Sequence, residues 1–107
     1  MAIRICAADE LELATAMRVV IEGTPIALVK DSAGAIHAIG DTCSHADISL
    51  SEGCVEDGTL ECWAHGSRFS LSTGKPLSLP AFEPVPVFAV FILDGDVYID
   101  PTPILND

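Results

Sequence analysis

The chain has 107 residues, a length typical of one domain. Half of the residues are apolar and 20% are charged, which supports a folded core and argues against wholesale disorder. The formal net charge of −11 would repel a phosphate backbone, so we expect no nucleic-acid partner.

Short apolar segments between frequent turn signals predict an all-β domain. Turns that recur about every ten residues between segments rich in Val, Ile, Leu and Phe are typical of a sandwich or barrel. Asp94-Gly95 between two apolar runs predicts a tight hairpin, and residues 7–16 predict at most a short turn of helix. The predicted strands are residues 3–6, 17–22, 25–30, 35–40, 60–62, 68–71, 85–93 and 96–100.

Three segments do not follow this pattern of strands and turns. Residues 41–58 form a long stretch, and residues 74–86 carry four prolines, which fix backbone torsions and cannot donate to a sheet ladder. Because long loops inside a small domain are often functional, we expect the site to include both segments. Residues 101–107 contain two prolines and are predicted to lie outside the sheet.

No segment is suited to crossing a membrane. The longest apolar run is the seven residues 87–93, whereas a membrane span needs about 18. Asp9 and Glu10 come too early for the apolar region of a signal peptide. We therefore expect a cytoplasmic protein whose cysteines are reduced, with Cys6 and Cys54 as spare thiols.

Two cysteine–histidine pairs are the most informative feature of the sequence. Cys43 and His45 form one pair and Cys62 and His65 the other, each beside turn residues. Four unrelated residues are a simpler interpretation, but two such pairs are hard to obtain by chance. Two thiolates and two imidazoles could close a tetrahedral zinc site, although zinc fingers usually place a cysteine pair before a histidine pair. The same donors could hold a [2Fe–2S] centre, with thiolates on one iron and imidazoles on the other.

The pattern C-x-H, sixteen residues, C-x-x-H resembles the Rieske family in spacing and order. Residues 41–53 and 61–69 look like that family's two cluster loops, and residues 73–86 look like the third loop that covers the cluster. The chain is similar to the ferredoxins of bacterial ring-hydroxylating dioxygenases of the biphenyl, naphthalene and carbazole type. The resemblance implies one all-β domain over residues 1–107, a Rieske-like sandwich or barrel. It also implies a small cluster-binding subdomain at about residues 41–83.

The resemblance also implies the residues of the site. One Rieske-type [2Fe–2S] cluster per chain would be held by metal ligands from both loops. Ser67 would donate a hydrogen bond to the cluster, Pro80 would lie in the covering loop, and Trp63 would shield the cluster, contact a partner or simply pack. The implied metal ligands are Cys43, His45, Cys62 and His65.

Departures from the respiratory Rieske pattern are informative. The disulfide of that type would fall at Ile48 and Ala64, so the chain resembles the soluble type that lacks the disulfide. Phe69 stands where the respiratory type has a tyrosine that donates a hydrogen bond to the cluster. Loss of that donor predicts a reduction potential in the lower part of the class range, about −150 to +300 mV.

These features predict an electron carrier rather than an enzyme. Beyond the four implied ligands only His37 remains, too few for an oxygenase site of two histidines and a carboxylate. We expect a monomer that carries one electron from a ferredoxin reductase to the terminal oxygenase of an aromatic-ring dioxygenase. Two alternatives stay open: a subunit of another redox system, of the nitrite-reductase or iron–sulfur assembly type, and a zinc-stabilised binding module.

Overall fold

The computed structural model describes residues 2–42, 49–56, 58–63, 67–77 and 84–106. Within these ranges the chain forms a larger and a smaller antiparallel sheet, and short 3₁₀ turns at Ala8–Glu10 and Leu50–Glu52. No helix in this part of the chain is long and apolar enough to span a membrane. The strands are β1 (Ile3–Ala7), β2 (Thr15–Ile21), β3 (Thr24–Lys30), β4 (Ile36–Gly40), β5 (Cys54–Glu56), β6 (Thr59–Glu61), β7 (Arg68–Ser70), β8 (Val87–Leu93) and β9 (Asp96–Leu105).

The larger sheet has the strand order β1-β9-β8-β4-β3-β2 and buries apolar side chains on both faces. Strand β3 shows this most clearly, because successive side chains of a strand point to opposite faces. Ile26 and Leu28 pack into one core cluster, whereas Ala27 and Val29 pack into the other. A continuous apolar run is what a strand covered on both faces requires.

The smaller sheet, in the order β5-β6-β7, covers one of these faces. Leu60 on β6 and Phe69 on β7 are directly paired, and both side chains are fully buried in the cluster that contains Ala27 and Val29. Burial of each of these two side chains contributes about 1.5–3 kcal/mol. The smaller sheet is thereby fixed against the larger one.

The predicted all-β fold is confirmed, but two predictions about the chain's course were wrong. Residues 101–105 lie inside the sheet, because β9 continues to Leu105. Strand β1 pairs with β9 only as far as Ile99, so Pro101 and Pro103 lie where β9 has no neighbour on the β1 side. A proline is tolerated at such an edge, since its missing N–H breaks no ladder. Strand β5 also lies within the segment 41–58, which was expected to be a loop.

Candidate functional site

Of the residues predicted for the site, Cys62, Trp63 and Ser67 fall in the described part of the chain. Cys43, His45, His65 and Pro80 lie outside the described residues. The site can therefore be built from the points where the chain enters and leaves the segments 43–48, 64–66 and 78–83.

Cys62 directly follows β6 and is fully buried as a free thiol. Its amide donates a 2.7 Å hydrogen bond to the carbonyl of Ser67, which ties the two ends of the second loop together. Ser67 is also fully buried, whereas Trp63 is 59% exposed. The second loop thus presents a thiol and a hydroxyl inward and an indole outward.

The first loop leaves and returns beside Asp41. Thr42 and Ser49 form an antiparallel bridge, and the amide of Leu50 donates a 2.5 Å hydrogen bond to the carbonyl of Asp41. The buried carboxylate of Asp41 accepts from the Ser49 hydroxyl and from the amide of Ser51 at 2.8 Å. The described residues on either side of the segment 43–48 are therefore held together at Asp41.

A close backbone contact joins the first loop to the second. A Cβ placed on Gly53 would lie 1.7 Å from the carbonyl oxygen of Glu61. Gly53 has a φ of −88°, so it is the space and not the backbone conformation that requires glycine here. Glu61 immediately precedes Cys62, and it pairs with Cys54 across the small sheet. The end of the first loop is thus held against the start of the second.

The third loop is tied to β7. The amide of Leu77 donates a 2.6 Å hydrogen bond to the carbonyl of Arg68, and the amide of Val85 donates at 2.9 Å to the carbonyl of Gly74. Gly74 has a φ of +71°, and a Cβ there would lie 2.2 Å from the Val85 carbonyl oxygen. The described residues Leu77 and Val85, on either side of the segment 78–83, are therefore anchored at β7 and at the turn that follows it.

The described surface at these loop ends combines apolar side chains with a paired charge. Leu77 is 60% exposed, similar to Trp63. Arg68 Nε lies 3.5 Å from Glu61 Oε2, across the small sheet. Leu77, Asp41 and Gly53 were not among the predicted site residues. Asp41, Ser49 and Ser51 are residue types that often cap loops, so their spacing could have indicated a capped loop. No local feature of the sequence distinguishes Gly53 from an ordinary turn glycine.

Away from these loops, His37 has a structural partner. Its Nε2 lies 2.8 Å from Asp31 Oδ2, and the other oxygen of this carboxylate accepts from the amides of Ala33 and Ala35. These hydrogen bonds, above all the one to His37, hold the pKa of the Asp31 carboxyl below its usual value. This contact makes His37 a structural histidine of β4.

The two remaining described cysteines are also free thiols. Cys6 is buried on β1, and this burial raises the pKa of its thiol. Cys54 is exposed on β5. Only Cys62, of the described cysteines, combines full burial with a position in a predicted cluster loop. The chemistry of the site, with a buried thiol and a buried hydroxyl at the two ends of the second loop, fits a thiolate ligand of an iron–sulfur cluster.

Comparison with known proteins identifies the family of this chain. Residues 1–89 match the Rieske [2Fe-2S] domain family. The 3-phenylpropionate/cinnamic acid dioxygenase ferredoxin subunit of Escherichia coli strain K12 is 42% identical over 81 residues, which cover 75% of this chain and 76% of that protein.

Two solved structures share the fold over nearly the whole chain. The ferredoxin of carbazole 1,9a-dioxygenase from Nocardioides aromaticivorans IC177 has a TM-score of 0.90 at 27% identity, covering 95% of this chain and 99% of that one. The ferredoxin in a complex of reduced oxygenase and oxidized ferredoxin of carbazole 1,9a-dioxygenase has a TM-score of 0.91 at 35% identity, covering 97% and 96%. The chain therefore belongs to the Rieske [2Fe-2S] domain family, and it is a ferredoxin that carries electrons on a Rieske-type cluster rather than a catalytic enzyme.

Proposed function

We propose that this ferredoxin takes one electron from a ferredoxin reductase and delivers it to the terminal oxygenase of an aromatic-ring dioxygenase. The observation that carries the proposal is the 42% identity with a dioxygenase ferredoxin subunit, over three quarters of both chains. A similar ferredoxin has been solved in complex with its oxygenase, which supports direct contact between the two components.

We propose Cys43, His45, Cys62 and His65 as the ligands of the cluster. The bound cluster supplies reversible one-electron chemistry at a potential raised by its histidine ligands. The fully buried, free Cys62 supports this ligand set. So does the close contact between Gly53 and Glu61, which holds the first loop against the second.

The other candidate residues have distinct proposed roles. The buried hydroxyl of Ser67 follows the second loop and would orient toward a cluster sulfur, where hydrogen bonds stabilise the reduced state. Pro80 would stiffen the covering loop, since proline fixes the backbone torsion. Trp63 would contact the partner, because a largely exposed indole supplies apolar area at low entropic cost.

Partner docking would combine an apolar centre with long-range charge. Trp63 and Leu77 are both more than half exposed at the described loop ends. The sequence from residue 63 to residue 81 has no acidic side chain, although the whole chain has a net charge of −11. A basic patch on the partner would be steered toward the acidic domain, and the apolar centre would then give close contact. Interfaces of this kind are small and transient.

Electron transfer to the purified oxygenase would test this proposal. We expect its second-order rate constant to fall as ionic strength rises, because steering by opposite charges is screened by salt. Leu77→Ser should slow transfer several-fold at every salt concentration. Leu13→Ser is the matched control, since Leu13 is 58% exposed but lies beside Gly34 in the β3–β4 turn, at the opposite end of these strands from Asp41. A rate that is constant or rises with salt would contradict steering, and equal effects of the two variants would contradict the docking face.

We further propose a monomeric, cytoplasmic protein in which residues 1–107 form one domain with a cluster-binding part at about residues 41–83. The net charge of −11 opposes self-association. The free thiols of Cys6, Cys54 and Cys62 are compatible with a reducing compartment. Sedimentation velocity on the cluster-loaded protein should give the mass of a single chain, and a concentration-dependent dimer would contradict the monomer.

A further inference from the structure

The buried carboxylate of Asp41 makes three side-chain hydrogen bonds. Its Oδ1 accepts from the amide of Ser51 at 2.8 Å. Its Oδ2 accepts from the Ser49 hydroxyl and from Arg18 Nε, the latter at 3.1 Å. Only 2% of the Asp41 side chain is exposed. A carboxylate so completely removed from water is tolerated only when it is paired and hydrogen-bonded, as this one is.

The partners of Asp41 come from separate parts of the chain. Arg18 lies on β2, whereas Ser49 and Ser51 follow the first cluster loop. The Asp41 backbone adds two hydrogen bonds. The Asp41 amide donates to the carbonyl of Pro25, and the Asp41 carbonyl accepts from the amide of Leu50. One residue therefore connects the start of the first loop, the end of that loop, and the edge of the larger sheet.

We propose that Asp41 is a positioning residue that holds the first cluster loop in its ligand-binding geometry, and that Arg18 acts through Asp41. This inference rests on the proposed ligand set, in which the loop supplies Cys43 and His45. Asp41 touches neither reacting atoms nor cluster in this assignment. It acts by fixing both ends of a segment that must present a thiolate and an imidazole together.

The Arg4–Asp96 ion pair has the same length as the Arg18–Asp41 pair but a more exposed carboxylate. Arg4 Nη2 lies 3.1 Å from Asp96 Oδ1, and Arg4 and Arg18 are about equally exposed, at 54% and 55%. Asp96 is 31% exposed, however, and lies at the β8–β9 hairpin, away from the loop ends described above. Exposed pairs contribute little because water screens them, whereas a pair with a desolvated carboxylate is strongly coupled to its surroundings.

The test compares Arg18→Gln with Arg4→Gln in the cluster-loaded protein. Each variant replaces an arginine that is about half exposed. In Arg18→Gln the buried Asp41 carboxylate keeps its hydrogen bonds from Ser49 and Ser51, so both variants should fold. With excess chelator at a temperature where both stay folded, the decay of visible absorbance reports loss of the cluster. We call the contacts of Asp41 with Arg18, Ser49 and Ser51 the clamp. Without Arg18 the first loop should open more often, so we expect Arg18→Gln to lose the cluster about tenfold faster than wild type. That factor is the effect of about one charge-assisted hydrogen bond. Arg4→Gln should lose it at the wild-type rate.

Amide hydrogen exchange gives a second measurement that does not depend on the cluster. The Ser51 amide should exchange faster in Arg18→Gln. The Ala33 amide, which donates to the Asp31 carboxylate at 2.9 Å, should be unchanged. A double variant completes the design: if Arg18 acts through Asp41, adding Arg18→Gln to Asp41→Asn should accelerate cluster loss no further.

The outcomes separate this inference from the proposed function. Wild-type protein without iron and sulfide would contradict the proposed ligand set. Amide exchange at Ser51 in Arg18→Gln would still show whether Arg18 holds the clamp together. Cluster-loaded Arg18→Gln with wild-type cluster loss and wild-type exchange at Ser51 would overturn the clamp alone. Equal acceleration by Arg4→Gln, or additive effects in the double variant, would also overturn it.

Discussion

Substitution of Gly53 by alanine probes the contact that joins the two predicted cluster loops. The new Cβ would lie 1.7 Å from the carbonyl oxygen of Glu61 and 3.2 Å from that of Leu50. Real Cβ atoms keep at least 3.0 Å from such neighbours, so the backbones must separate by about 1.3 Å or more at this point. Both contacts are with backbone, so no flexible side chain can move aside.

The energetic cost follows from what this separation breaks. Strands β5 and β6 share three paired positions beside Gly53, beginning at Cys54 and Glu61. Hydrogen bonds of about 2.9 Å do not survive a stretch of more than 1 Å. Losing about two of them costs about 2 kcal/mol net, and partial exposure of Val55 adds about 1 kcal/mol. We expect Gly53→Ala to lower the free energy of unfolding by about 3 kcal/mol.

Gly58→Ala is the matched control within the same hairpin. Gly58 has a φ of +75°, and a Cβ added there would have nothing within 4 Å, so this variant suffers backbone strain without a clash. Its expected cost is about 1 kcal/mol. Urea unfolding followed by circular dichroism measures both costs, and visible absorbance measures cluster content.

Gly53→Ala should also lose the cluster, because it moves the end of the first loop away from Cys62. Gly58→Ala should retain it, because the β5–β6 turn lies at the opposite end of these short strands from Gly53. Unfolding of Gly53→Ala at the wild-type urea concentration, with a full visible spectrum, would refute the predicted clash with Glu61. Equal losses of stability and of cluster content in the two variants would also refute it.

Three further predictions follow from single side chains. Cys62→Ser should abolish the visible spectrum, whereas Cys54→Ser, on the adjacent strand but exposed, should retain it; loss of colour in both would show that the ligand set is wrong. Phe69→Tyr should raise the reduction potential by tens of millivolts if the new hydroxyl reaches the cluster, and an unchanged voltammogram would show that the ring points elsewhere. Asp31→Asn should remove stability that is present above about pH 4. The hydrogen bond to His37 holds the folded-state pKa of Asp31 below its unfolded value, so this stability is lost as pH falls. Thermal unfolding from pH 7 to pH 3 should show the difference from wild type shrinking with acidity, and a constant difference would contradict this cause.

The sequence predicted the fold class and the cofactor because both depend on local patterns. Turn residues between short apolar segments specify hairpins wherever they occur. The proposed ligand pairs are equally local, since Cys62 and His65 are only three residues apart in the sequence. The spacing of the two Cys–His pairs therefore led to the Rieske family, which the match over residues 1–89 confirmed.

Strand pairing beyond the hairpins was not visible in the sequence. Pro101 and Pro103 favoured an end of the strand before them, yet β9 includes both. The pairing of β1 with β9 goes no further than Ile99, so the β1 side of β9 has no partner strand at the two prolines. Whether a proline lies at an edge depends on the length of a neighbouring strand almost a hundred residues away. Strand β5 was missed for a related reason, since three residues carry too little periodicity without their partner β6.

Only the tertiary structure shows which residues hold the predicted loops in place. Asp41 and Arg18 are 23 residues apart, and nothing in either local sequence indicates that they meet. Gly53 resembles any turn glycine until the carbonyl of Glu61 is placed against it. The sequence by itself thus determined which donors the chain offers and in what order. Which backbone atoms approach closely enough to hold those donors together depends on contacts between distant segments, and these form only when both sheets pack around their shared core.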